Sequence, residues 1–166
     1  MKNIKQGLCA GLFLICGVCL SVYAQAPLSS NMPAVGVLGQ TDFVTNASGL
    51  PANKVYTPKG IALDPTTGKL FVADYDNRRV LRWSSVDKMV NGAAAEAVLG
   101  QPDFATNTSG TSSTKMARPY GMTVDAAGRL WVSDLSNNRV LRFDNASTLA
   151  SGAAATRVLG QPDFAT

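Results

Sequence analysis

Histidine is absent from all 166 residues. Its absence removes imidazole acid–base catalysis, Ser-His and Cys-His nucleophile pairs, and His-ligated zinc. Cysteine is confined to Cys9, Cys16 and Cys19. A mature chain starting beyond them has no disulfide, thiolate nucleophile or thiolate metal site, so its core alone must hold it. Charge is sparse, at 16% Asp, Glu, Lys and Arg. Two of the fifteen basic residues are Lys2 and Lys5, which leaves thirteen against eleven acids. With so small an excess and no basic run, no nucleic-acid partner is expected. There is no GxxxxGK[ST] and no GxGxxG, hence no phosphate-cradling loop. No catalytic motif and no cofactor-binding motif is found. The 46% hydrophobic content suits a globular domain with a real core.

The N-terminus reads as a signal peptide over residues 1–24. Lys2 and Lys5 form a positive start, and Gly7 to Val22 is uncharged and apolar or small. Val22 and Ala24 fit the small-residue positions before a cleavage site, so cleavage after Ala24 is expected. The apolar stretch is shorter than the roughly 20 residues a spanning helix needs, so no stable membrane insertion is expected after cleavage. The residues before Cys16 and Cys19 do not match a lipoprotein site. The mature chain is expected to be secreted or periplasmic, with a polar lead-in over 25–34.

Internal repetition is the strongest signal. VLGQ occurs at 37–40, 98–101 and 158–161, spaced 61 and 60 residues apart. Between these markers, PKGIALDPTTGKLFVADYDNRRVLRW (58–83) aligns with PYGMTVDAAGRLWVSDLSNNRVLRF (119–143). The one-residue difference falls in a turn, where it costs little. Each unit reads as four short strands: Gly60–Leu63, Lys69–Ala73, Arg79–Trp83 and Ala95–Leu99, then Gly121–Val124, Arg129–Ser133, Arg139–Phe143 and Thr156–Leu159. Runs such as Leu70-Phe71-Val72 are apolar on both faces, as in a sheet packed between two neighbours.

GIALD…GKLFVAD…NRRVLRW and GMTVD…GRLWVSD…NNRVLRF resemble NHL repeats, the blades of a class of β-propellers. The resemblance implies an all-β fold of propeller-type blades, each of four antiparallel strands: two blades plus one extra N-terminal strand. The expected layout is a lone outer strand (35–39) and connector over 35–57, blade 1 with its connector over 58–118, and blade 2 with the start of a further connector over 119–166. A propeller normally closes with four to eight blades. Two blades therefore predict either part of a longer propeller, the preferred reading, or copies that complete a ring as a homo-oligomer.

The resemblance implies a binding or scaffold module for a protein or glycan partner, and no catalytic residue is assigned. The two long connectors, 41–56 and 102–118, are expected on one face. The residues assigned to that binding face are Lys54, Tyr56, Lys59, Lys115, Arg118 and Tyr120; Asn46 and Asn107 lie on the same connectors. The alternative is a fragment of a propeller hydrolase or lyase. Missing histidine speaks against the histidine-dependent lyases, whereas a calcium-dependent hydrolase would rely on Asp and Asn. Asp64 and Asp125, at the ends of the first strands, are its candidate ligands for calcium or another oxygen-ligated metal at the central channel. They also read simply as turn-initiating aspartates. Asp74, Asn77 and Arg79 recur as Asp134, Asn137 and Arg139, and recurrence points to a structural clamp. Asp42, Asp103 and Asp163 are expected to shape turns, with Phe43, Phe104 and Phe164 tucked under blades. Asn46, Asn107 and Asn145 match a glycosylation sequon and read as ordinary loop residues.

Overall fold

The computed structural model describes residues 31–165. The expected signal peptide, its expected cleavage point and most of the expected lead-in lie outside the described residues. The chain divides after Pro33, and every strand among the described residues lies in the unit that starts at Ala34. The fold is all-β: two four-stranded antiparallel sheets, each a simple meander. Blade 1 is β1 (Pro58–Leu63), β2 (Lys69–Asp74), β3 (Arg79–Ser85) and β4 (Ala97–Leu99). Blade 2 is β5 (Pro119–Val124), β6 (Leu130–Asp134), β7 (Arg139–Phe143) and β8 (Arg157–Leu159). The repeat extends to register. Val80 faces Leu99 and Leu81 faces Val98 in blade 1; Val140 faces Leu159 and Leu141 faces Val158 in blade 2.

The pleat sorts the side chains into two faces per sheet. One face of blade 1 carries Ala62, Phe71, Val80 and Leu99. It packs on Leu130, Val132, Leu141 and Phe143 of blade 2, with Met116 from the connector between them. The other face of blade 1 carries Val72, Leu81, Trp83 and Val98, and is covered by Leu38, Val55 and Phe104. Phe71 and Val72 are therefore both buried, as the apolar run predicts. At the innermost strands the sheets touch backbone to backbone. A Cβ on Gly60 would lie 2.2 Å from the Tyr120 carbonyl oxygen, so only glycine fits there.

One expectation is corrected. Residues 35–39 form no strand; they run as bends and coil. Their packing is nonetheless that of the later copies. The Val37 amide donates to Asn91 Oδ1 at 2.9 Å, as the Val98 amide donates to Ser151 Oγ at 3.2 Å. Gly39, Gly100 and Gly160 share a left-handed backbone, at φ 81°, 83° and 90°. The segment sits where an outer strand would sit, but among the described residues no third strand lies beside it to supply the ladder hydrogen bonds that define a strand.

Candidate functional site

The recurrent Asp-Asn-Arg set is a buried clamp on the connectors. Arg79 Nε donates to Asp74 Oδ2 at 2.7 Å, and both side chains are fully buried. Asn77 Nδ2 donates to the same oxygen and to the Gly49 carbonyl. The rest of the Arg79 fork donates to the carbonyls of Leu50, Lys54 and Phe104, and the Tyr56 amide closes on Asp74 Oδ1. Arg79 thus fastens the connector entering its blade and the start of the one leaving it. Arg139 repeats this with Asp134, donating to the carbonyls of Thr111, Ser112, Lys115 and Phe164. Burial pushes the Asp74 carboxyl upward against these donors.

A second set of staples comes from the GQ turns. Gln101 is buried and exchanges two hydrogen bonds with the Thr108 backbone. Asp42, Asp103 and Asp163 each accept backbone amides two or three residues on, the turn role expected of them. Phe104 and Phe164 pack under the blades, whereas Phe43 is 56% exposed.

The clamps fix what the connectors present. Lys54 and Lys115 serve their own loops: Lys54 Nζ donates to Gln40 Oε1 at 3.2 Å, and Lys115 Nζ donates to Thr108 Oγ1. Lys59, Arg118 and Tyr120 instead converge on Tyr75. The Lys59 ammonium lies 5.7 Å from the Tyr75 ring centroid and the Arg118 guanidinium 5.3 Å. The Tyr120 ring meets Tyr75 edge-on at 6.2 Å. Tyr56 leads into the same strand end, its carbonyl accepting the Asp76 amide, and its side chain is exposed. Between Tyr56 and Lys59, Thr57 holds a left-handed backbone at φ 54°, a costly conformation for a β-branched residue.

Tyr75 is absent from the sequence-based assignment, and the signal for it is a break in the repeat. Its counterpart in blade 2 is Leu135, and the counterpart of Arg118 in blade 1 is Thr57. The Tyr75 cluster thus has no counterpart at the matching positions of blade 2, while the clamps occur in both. The other cation–aromatic contacts, Arg129 and Arg142 over Trp131, involve guanidiniums already paired with Asp125 and Asp144.

At the opposite end of the blades, a cleft of about 330 Å³ lies between the first turns of the two repeats, lined by Asp64, Thr67, Gly128, Asn145 and Ser147. Asp64 is buried there and accepts the Ser147 and Thr67 hydroxyls at 2.5 and 2.7 Å, plus two backbone amides. Asp125 accepts from the Trp131 indole at 2.9 Å and pairs with Arg129 at 2.7 Å. Each candidate metal ligand is thus engaged with its own turn and neighbours. Among the described residues no group of three or more acidic side chains could hold a metal ion.

These bonds set a pH response. Burial raises the Asp64 carboxyl, but the Ser147 and Thr67 hydroxyls outweigh it and hold it below the ordinary value. The Trp131 indole, then Arg129, hold Asp125 well below the carboxylate range. Burial likewise raises Glu96, but Lys69 and Arg82 bring it down. For groups depressed by folding, stability is present above the unfolded values of 3.8 and 4.5 and is lost as pH falls through the folded ones. Melts followed by circular dichroism should show Tm falling between about pH 5 and about pH 3 as these three carboxyls take up protons, with Asp74, raised by burial, acting in the opposite sense.

No protein-family model and no curated protein matches the chain. Solved structures similar to it are β-propeller proteins. A luciferin-regenerating enzyme aligns with TM-score 0.46 and 16% identity, over 68% of this chain and 33% of that one. A streptogramin B lyase aligns with TM-score 0.40 and 16% identity, over 63% and 26%. A chain of a nidogen/laminin complex aligns with TM-score 0.41 and 17% identity, over 68% and 33%. The chain spans a third of their length or less.

Proposed function

We propose that the chain is part of an exported NHL-type propeller that acts as a binding module, recognising a protein or glycan through the face at the junction of its two blades. One observation carries this reading. In a chain that repeats its strands, clamps and turns, the Lys59–Tyr75–Arg118–Tyr120 cluster is not repeated. Structural devices recur with the repeat, whereas a recognition site belongs to one place. Its residues sit on rigid strand ends and a clamped hairpin, where loop mobility does not blur them. The same geometry separates the basic residues of this face. Lys59 and Arg118 have no carboxylate partner among the described residues, while Lys54 and Lys115 are spent on their loops.

Screening the secreted protein against arrays of glycans and peptides tests the reading. Lys59→Glu and Arg118→Glu should abolish the strongest array signals, whereas Lys54→Glu and Lys115→Glu should leave most of them. Signals indifferent to Lys59 and Arg118 would reject this face.

A further inference from the structure

Resting on the binding-module reading, we propose that the junction face takes a carboxylated glycan, a chain of hexuronate sugars. Two exposed cations, Lys59 and Arg118, are held against one ring, 5.7 and 5.3 Å from its centroid. Asp76, next to Tyr75 in sequence, forms an ion pair with neither. Two like charges beside one tyrosine repel each other, and an anion seated between them would relieve that repulsion. The ring also restrains side chains that otherwise range over many rotamers, so less entropy is lost when a ligand arrives. Arg118 can grip a carboxylate with two parallel N–H bonds, and Lys59 can add a point charge beside it.

The aromatic part of the face separates sugar from other anions. Tyr120 and Tyr56 are each 48% exposed, which offers flat apolar faces with a hydroxyl at the rim. A pyranose ring presents C–H groups on one side and hydroxyls at its edge, and matches such a surface. A neutral sugar would leave both cations without a partner. An acidic peptide would engage the cations and has less use for the exposed rings. A uronate uses both, and a chain of them lets one residue sit at Arg118 while its neighbours lie along the tyrosines.

The repeat supplies variants with a built-in folding precedent. Arg118→Thr and Tyr75→Leu each install the residue that the other blade carries at the equivalent position, Thr57 and Leu135. The full secreted chain is titrated calorimetrically with oligogalacturonate, with a neutral maltooligosaccharide and with polyglutamate. Oligogalacturonate should bind, weaken as salt is raised, and lose about tenfold in affinity on Arg118→Thr, the size of one charge-assisted contact. Tyr75→Leu should weaken it too, although Tyr75 carries no charge, because it releases both cations. Polyglutamate binding more tightly than oligogalacturonate, with the same sensitivity to Arg118→Thr, would overturn the glycan assignment and leave the binding face standing. Oligogalacturonate binding unchanged in both variants would overturn the assignment of this face to the glycan. An absence of any ligand or array signal sensitive to either variant would overturn the binding-module reading as well.

Discussion

Arg79→Met should destabilise the chain by about 3–5 kcal/mol, the cost of leaving one member of a buried ion pair without its partner. Both side chains of the Arg79–Asp74 pair are fully buried, so water cannot replace the lost charge. The substitution also strips a donor from the carbonyls of Leu50, Lys54 and Phe104. Urea denaturation measures the loss, and amide exchange locates it. Protection should fall first over residues 49–56, because Arg79 holds that stretch against the blade. An Arg79→Met variant within about 1 kcal/mol of the parent would mean that the connectors are held by something else. The Asp-Asn-Arg triad has the residue types of a polar site, and the structure gives it this mechanical task instead.

The second large effect is an asymmetry between equivalent positions. Phe71→Ala should cost about 3–5 kcal/mol, as large-to-small changes of a buried aromatic do. Trp131→Ala, at the matching position of blade 2, should cost less, about 1–3 kcal/mol, most of it the lost indole hydrogen bond to the Asp125 carboxylate. Phe71 is fully buried between the sheets, whereas Trp131 lies on the face of blade 2 that no sheet covers among the described residues. Val80 and Leu99 are also fully buried, while Leu159, the counterpart of Leu99, is 53% exposed. Equal costs for the two alanine variants, from paired urea melts at one protein concentration, would contradict this packing. A Trp131→Ala cost that grows with protein concentration would show a further blade seated on that face.

Most of the fold is legible in the sequence, because duplication supplies an internal control. The eight strands follow from two aligned copies, and the turn roles of Asp42, Asp103 and Asp163 from their place after the VLGQ marker. The segment at 35–39 differs for a physical reason. VLGQ has strand-forming residues in all three places, but a strand needs a neighbour to pair with, and the first copy has none among the described residues. The site was legible only in part. Lys59, Arg118 and Tyr120 follow from the expected position of the connectors. Lys54 and Lys115 share their composition and loop setting but turn inward to Gln40 and Thr108, a choice that depends on side-chain direction rather than pattern. Tyr75 lies on a hairpin of one blade and meets residues of the other, so the blade-by-blade alignment hides the contact. Its mark in the sequence is the mismatch with Leu135.

The central claim is that recognition occurs at the blade junction and not in the cleft at the opposite end. Amide chemical-shift mapping of the chain titrated with oligogalacturonate tests it most directly. The account predicts perturbations confined to residues 56–60, 75–78 and 117–121. Perturbations centred on residues 64–68, 125–128 and 145–148 would place the ligand beside Asp64 and Ser147 and contradict it.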